Sequence, residues 1–324
     1  MSNQLDRISD KEFGEFCKRN SNQSSVFNST DWLKLFGNQL EFLAQKNEDG
    51  QIQAGFYLFR DKIKGFTFYR NPPFTPHNGF VFINSGKNPA KRMSKEKKVV
   101  AAMADHFSEL ALKGIVTVSL PRSVQDVQPF IWNDFKVVPQ YTYVHDLTKS
   151  ERELFDCLSP ETRNSIRKAE QEGVEVDRQH NPELAKNLVL KNLDTKSAKV
   201  ERDWLKKIFD EFLTPDNSFM TFTRKGNEVM SVAVCVFDEN AAYYIFGGVN
   251  QTLTNTGAGP LGIWRSMLHA RSKGIEVFDF EGSMIPSVEK FFRSFGGELR
   301  PYYSVNKSNF WKEVLLKKGR RAKF

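Results

Sequence analysis

Apolar positions along the chain switch between a spacing of two and a spacing of three to four, and they do so twice in the same order. In the first half, residues 31–36 predict a short helix, with Ser29 or Thr30 placed to cap its first free N–H groups. Residues 40–46 and 51–60 alternate around Glu48-Asp49-Gly50, a hairpin signal, and residues 63–69 add a third strand. A proline-rich loop follows, Asn71-Pro72-Pro73-Phe74-Thr75-Pro76-His77-Asn78-Gly79. A long helix is predicted over 94–113, stopping at Gly114 as a left-handed cap residue. A strand at 115–120, a helix at 124–133 and a strand at 137–146 complete the half.

The second half repeats this order. A helix at 202–212 leads to a hairpin, 219–224 and 228–237, around Lys225-Gly226-Asn227. A strand at 242–246 follows, then a helix that Pro260 opens and Lys273-Gly274 ends. A strand at 276–280, a helix at 286–295 and a strand at 298–305 close it. Individual residues match too: Leu112-Lys113-Gly114-Ile115 parallels Ser272-Lys273-Gly274-Ile275, and Pro139-Gln140-Tyr141-Thr142-Tyr143 parallels Pro301-Tyr302-Tyr303, 160 and 162 residues apart. A long-period duplication explains this; the alternative is shared helix–Gly–strand punctuation in two separate units. Either way each half reads as an α+β layered unit. The expected domains are 1–147 and 148–305. Residues 306–324 form a basic, helix-like tail that could pack back on the first domain through Phe310, Trp311, Val314 and Leu315.

Between the halves, residues 148–178 read as helical. Ser159 caps, Pro160 takes the first helical position, and Gly173 terminates. Arg163 and Arg167, four apart, share a helical face. Two forked donors so placed suit phosphate or carboxylate; the plainer reading is a solvated face pairing with Glu170 and Glu172. Asp279 and Glu281 alternate along one predicted strand, so they share a face and could orient or deprotonate an amine. Asp279 could equally cap the following loop. Tyr243 and Tyr244 must point to opposite faces, one into a cleft or both satisfied in the core. His77 could line a cleft or simply close its loop.

Composition narrows the classes. At 324 residues the chain is too long for one ordinary core. Its formal charge is +8, yet residues 307–324 carry seven basic side chains and one acid, and residues 86–98 carry six and one. The rest is slightly acidic. The tail Lys317-Lys318-Gly319-Arg320-Arg321-Ala322-Lys323-Phe324 could contact RNA, anionic headgroups at a membrane surface, or a polyphosphate acceptor. No apolar run is long enough to span a bilayer and the N-terminus has no apolar signal core, so a cytoplasmic protein is expected. Cys17, Cys157 and Cys235 are too few and too scattered for a disulfide framework, and the five histidines show no ligand spacing, so no metal is expected.

The motif Arg163-x-x-Ile166-Arg167-Lys168-Ala169 with Gly173-Val174 resembles the inter-domain helix of the Fem (FemABX) family. So do Trp264-Arg265-Ser266-Met267-Leu268-His269-Ala270, Phe278-Asp279-Phe280-Glu281-Gly282 and Phe291-Phe292-Arg293-Ser294-Phe295-Gly296-Gly297 of the closing pattern. Phe27-Asn28-Ser29-x-x-Trp32 and Pro72-Pro73-Phe74-Thr75-Pro76 also fit. That family comprises peptidoglycan-bridge aminoacyltransferases and related acyltransferases built from two GNAT-like domains. The resemblance implies two tandem GNAT-like domains with a cleft between them. It implies transfer of an acyl or aminoacyl group onto an amine of a cell-envelope precursor, with acyl-CoA or aminoacyl-tRNA as co-substrate. It places Arg167, with Arg163 and Lys168, at the phosphates of a nucleotide-linked acceptor. Where bridge-forming members carry a lysine near the reacting carbonyl this chain has Phe292, with Arg293 next to supply charge. Acetyltransferases of this fold hold pyrophosphate in a Q/R-x-x-G-x-G/A loop; here Thr254-Asn255-Thr256-Gly257-Ala258-Gly259 keeps both glycines and lacks the leading Gln or Arg. Two rival readings follow: an acyl-CoA-dependent N-acyltransferase of surface-glycan or lipid synthesis, and a non-catalytic precursor-binding descendant. The expected site is therefore Asp279, Glu281 and Arg293 for catalysis, Arg163, Arg167, Lys168, Tyr244 and His77 for substrate, and Gly257 and Gly259 for the donor.

Overall fold

Local sequence sets each element before packing does. The computed structural model describes residues 5–63, 65–83, 86–195, 202–250, 252, 257–282, 284–309 and 311–314. After the short strand β1 (Asp6–Ile8), helix α1 (Asp10–Arg19) begins with a reciprocal cap. Ser9 Oγ accepts from Glu12 N at 3.1 Å and Glu12 Oε2 accepts from Ser9 N at 2.9 Å, satisfying two exposed donors. Helix α2 (Thr30–Lys34) is capped by Ser29, not Thr30. Then come β2 (Leu40–Lys46), β3 (Ile52–Ile63), β4 (Phe66–Arg70), β5 (Val81–Phe82), α3 (Pro89–Lys113), β6 (Ile115–Ser119), α4 (Gln128–Trp132) and β7 (Lys136–Asp146). The second half contains α5 (Glu151–Cys157), α6 (Pro160–Gln171), β8 (Glu175–Asp177), α7 (Pro182–Thr195), α8 (Arg202–Lys207), β9 (Ser218–Lys225), β10 (Glu228–Phe237) and β11 (Ala241–Val249). It ends with α9 (Ala258–Ser272), β12 (Val277–Asp279), α10 (Pro286–Arg293) and β13 (Glu298–Ser308).

The chain divides into Met1–Gln140 with Pro301–Phe324, and Tyr141–Arg300. In the first unit β1, β2, β3 and β4 pair antiparallel in turn, β5 pairs with β3, and β6 lies parallel to β4. Residues 304–308 of β13 complete this sheet against β6. In the second unit β8, β9, β10 and β11 are antiparallel neighbours, β12 lies parallel to β11, and residues 144–146 of β7 pair antiparallel with β12. Each half therefore hands its last strand to the other unit's sheet. The boundaries expected at 147 and 305 fall a few residues later than these, because a hydrophobic pattern does not say which sheet a strand joins.

Each unit has its own core. Phe56, Phe107, Phe130, Val118 and Leu120 are wholly buried in the first, with Phe56 and Phe130 both edge or tilted against Phe107 at 5.8 Å. Trp264, Met267, Phe278, Phe280 and Phe295 fill the second. Each such ring contributes roughly 2–3 kcal/mol by leaving water.

Several expectations shift. The long helix starts at Pro89, capped by the Asn88 side chain, well before residue 94. Gly114 is extended rather than left-handed (φ −152°); it is glycine because a Cβ would lie 2.6 Å from the Thr67 carbonyl oxygen. The 124–133 helix shrinks to α4, and the helix at 202–212 becomes π-helical over Ile208–Phe212. The helical stretch to 178 ends at Gln171 and yields to β8. The tail's Phe310 and residues 315–324 lie outside the described residues.

Candidate functional site

Strands β11 and β12 run together for only three residues, Ala241 beside Val277, Ala242 beside Phe278 and Tyr243 beside Asp279. β11 then continues to Val249, held on its other edge by β10 as far as Ser231. The chain after β12 turns away: Phe280 N donates to Tyr143 O at 3.0 Å, and Glu281 and Gly282 both take left-handed backbone, φ 57° and 70°. Beyond Tyr243 no other strand pairs with this edge of β11 among the described residues. The ladder with β10 also slips between Val234 and Cys235, leaving Ile245 as an extra residue, a bulge that sharpens the local twist.

Tyr244 lines this parting of the strands. Its ring lies edge-on to Phe280 and Phe292, 6.0 Å from each centroid. Burial pushes its hydroxyl well above its ordinary pKa, so it stays a neutral donor. A Cβ at Gly247 would collide with Tyr244 Oη, so only glycine lets the hydroxyl lie along the strand. Asn192 of α7 donates its Nδ2 to Gly247 O at 3.4 Å, buttressing the same turn of strand. The Gly247-Gly248 pair was the sequence signal for this feature.

At the head of α9, Gly257 is the cap residue in left-handed backbone (φ 69°) and offers no side-chain cap. A Cβ there would strike Ser165 O of α6, so packing as well as conformation demands glycine. Gly259 is less constrained, since its Cβ would meet only Val249 Cγ2 at an ordinary 3.7 Å. Thr254, Asn255 and Thr256 lie outside the described residues. Pro260 falls inside the first turn, the helix having begun at Ala258.

The two carboxylates do not share a strand face. Asp279 ends β12, buried, with its Oδ1 accepting from Thr142 Oγ1 at 2.6 Å and from Glu281 N at 2.9 Å. It is thus a cap for the turn. Glu281 sits in that left-handed turn, half-buried, not on the strand the alternation predicted. A third carboxylate went unnoticed in the sequence. Tyr143 Oη donates to Glu289 Oε1 at 2.6 Å, and Arg293 Nε pairs with the same oxygen at 3.0 Å. Burial first, and the Glu289 carboxylate second, push Tyr143 up to about 12. Arg293 thus belongs to an exposed helical ion pair, while Phe292 before it is buried, 4.9 Å from Phe280.

On α6 the expected pairs also rearrange. Arg163 Nη1 donates to the carbonyls of Asp156 (2.9 Å) and Leu158 (2.7 Å), clamping the turn from α5. Arg167 is exposed, its guanidinium 5.2 Å from the Phe155 ring, with no carboxylate partner among the described residues. Lys168 pairs with Glu172 (3.7 Å) and Glu170 with Arg265 of α9 (2.7 Å). Neither arginine meets Glu170 or Glu172, so the solvated ion-pair reading fails for both. A cleft of about 460 Å³, whose lining includes Glu170, Val174, Asp177, Arg178, Leu261 and Arg265, takes in none of the expected site residues.

His77 belongs to the first unit and fastens its loop. Gly79 N donates to Nδ1 at 3.1 Å, which puts the ring proton on Nε2, facing Ser25 Oγ at 3.4 Å. Burial and Arg122 hold its pKa down at about 4. Among the described residues no cluster of His, Cys, Asp and Glu could hold a metal, and no helix is long and apolar enough to cross a membrane.

Residues 160–291 match the model of the acetyltransferase (GNAT) domain. The matched stretch lies wholly within the second unit. The match spans α6, β11, α9 and β12, hence Arg163, Arg167, Lys168, Tyr244, Gly257, Gly259, Asp279 and Glu281, and stops just short of Arg293. A search of curated proteins finds no match. Among solved structures, FemX superimposes over 97% of this chain and 99% of its own, with a TM-score of 0.67 and 15% identity. A tandem GNAT protein from the clavulanic acid biosynthesis pathway covers 94% and 97% (TM-score 0.56, 8% identity). L-PGS from Bacillus licheniformis covers 98% of both chains (TM-score 0.53, 11% identity). At such identities the likeness is one of fold. The chain has the tandem GNAT architecture that FemX shares, as the resemblance implied, and the GNAT domain bears out the transferase class.

Proposed function

We propose that the second unit transfers an activated acyl group onto an amine of a cell-envelope precursor, with acyl-CoA as donor. The parting of β11 from β12 beside the head of α9 carries this reading. A strand edge left without a neighbour holds an extended, amide-bearing chain as another strand would, which suits the arm of an acyl thioester. The N-terminus of α9, with Gly257 and Gly259 keeping side chains out of the way, suits the donor's diphosphate. The acceptor amine attacks the thioester carbonyl, and N–H groups at the Ile245 bulge steady the oxyanion. The C–S bond then breaks, Tyr244 gives a proton to the departing thiolate, and Glu281 takes one from the amine, with Asp279 fixing the turn that holds it. Arg167, with Lys168 beside it, would grip the phosphates of an anionic, nucleotide-linked acceptor.

Phe292 favours acyl-CoA over aminoacyl-tRNA. It fills, with a buried ring, the position that the Fem resemblance assigns to a lysine, and Arg293 beside it is engaged by Glu289. A role for the basic tail toward tRNA is correspondingly not part of this reading, and the reaction is assigned to the cytoplasm, where CoA thioesters are made. A thermal-shift screen tests it. Acyl-CoA should raise the melting temperature by a few degrees, with free CoA weaker and charged tRNA inert. Stabilisation by charged tRNA alone, or by a nucleotide-linked precursor with no acyl transfer from any donor, would overturn it.

A further inference from the structure

The short helix α4 ends on two consecutive exposed apolar side chains. Pro129 and Phe130 anchor it in the core, while Ile131 and Trp132 are 55% and 66% exposed. Beside them runs α3. Lys97 Nζ lies 5.1 Å from the Trp132 ring centroid and also reaches Gln128 Oε1 (2.7 Å) and Asp126 (3.0 Å). Met93, one helical turn earlier, is 63% exposed. Ile131, Trp132 and Met93 are thus exposed apolar side chains grouped about Lys97, with no cover among the described residues.

Its surroundings are basic. Residues 86–98 hold six basic side chains and one acid, and Lys91, Arg92 and Lys98 are exposed. The acids nearest the patch are engaged or weakened. Asp126 pairs with Lys97, Asp105 accepts from Asn133 at 3.3 Å, and burial with Asp126 raises the Glu96 carboxyl above its ordinary value. Asp134, on the next turn, is accompanied by exposed Lys136. Tryptophan, with an apolar body and one N–H, settles at the boundary between headgroups and acyl chains, and lysines around it add attraction to anionic lipid. A second copy of the chain fits worse, because a two-fold contact would set the basic starts of two α3 helices against each other.

We propose that Met93, Ile131 and Trp132, framed by the basic start of α3, seat the first unit on an anionic lipid bilayer. This is independent of the acyl-transfer reading and does not invoke the C-terminal tail. Co-sedimentation with vesicles tests it, comparing phosphatidylcholine alone with mixtures holding roughly 30 mol% phosphatidylglycerol. The full chain should pellet with the anionic vesicles and not with the neutral ones, less so at high salt. Ile131→Ser with Trp132→Ser should weaken binding about tenfold. Lys91→Glu with Arg92→Glu should weaken it at least as much and flatten the salt dependence. All four positions are exposed, so an unchanged melting temperature is the folding control. Salt-dependent binding that survives Ile131→Ser/Trp132→Ser would overturn the proposal by pointing to charge elsewhere on the chain. Equal binding to neutral vesicles would overturn it too. So would no vesicle binding together with a dimer in gel filtration that the same substitutions dissolve.

Discussion

The two units trace the same path, yet the gap between their parallel strands is closed in one and open in the other. In the first unit β4 and β6 pair as far as Arg70 and Thr117. Asn71 then laces the strands together: its Nδ2 donates to Ser119 O at 3.2 Å and its Oδ1 accepts from Ser119 N at 2.9 Å. Asn78 N adds a bond to Ser119 O at 3.0 Å, and His77 fastens the same loop. In the second unit the corresponding β11 outruns β12, and a tyrosine and a bulge occupy the place of the lacing asparagine and proline loop. The two units share a frame, and among the described residues only the second leaves this strand edge unpaired. A groove between strands is thus something a fold offers by default and must close deliberately when it is not used.

The largest expected effect tests whether the open gap rests on a rigid floor. Phe280→Ala removes the ring that Tyr244, Phe278, Phe292 and Phe295 all pack against, and should cost about 3–5 kcal/mol in urea unfolding. A loss near 1 kcal/mol would mean the cluster collapses readily and the wedge is soft.

Acid strikes both copies alike. His77 in the first unit and His145 in the second are held neutral, each with its pKa lowered to about 4 mainly by burial. Since the folded value lies below the unfolded 6.5, stability is complete above about pH 6.5 and falls as the pH drops toward 4. Each histidine accounts for on the order of 3 kcal/mol across that window. Urea midpoints measured against pH should show this slope, and His145→Gln should remove about half of it. A slope unchanged in that variant would make His145 irrelevant to acid stability.

Smaller effects separate the two gaps. Asn71→Ala, which strands Ser119 N, should cost about 1–3 kcal/mol while leaving any acyl-CoA thermal shift intact. Tyr244→Phe and Arg167→Ala should do the reverse. Neither group has a hydrogen-bond partner among the described residues, so unfolding should move by less than about 0.5 kcal/mol while donor turnover falls for the first and acceptor binding for the second. Stability loss with binding unchanged would sink either assignment.

The element order, the repeat and the hairpins were legible because period-two and period-3.6 patterns and Gly turns are local signals. Helix α1 was missed although its Ser9 and Glu12 spell a capping box, and α7 was missed although Asn181 caps it just ahead of Pro182, its Oδ1 accepting from Leu184 N at 3.0 Å. In the site, Asp279, Tyr244 and Arg167 were found as residue types. Their partners were not, because Thr142 and Tyr143 reach Asp279 and Glu289 across 137 and 146 residues of chain. Alternation put Glu281 on a strand face, and only the left-handed turn, which Gly282 hinted at, moves it off.

The crossing of the last strands governs the order of birth. A chain leaving the ribosome completes Tyr141–Arg300 as one continuous stretch, whereas the first unit must wait for β13 to dock on β6, where Ser304 meets Ser119 across 185 residues. The half made first is finished last, and a gene cut between its two repeats would leave each fragment with one exposed strand edge and one strand that belongs elsewhere.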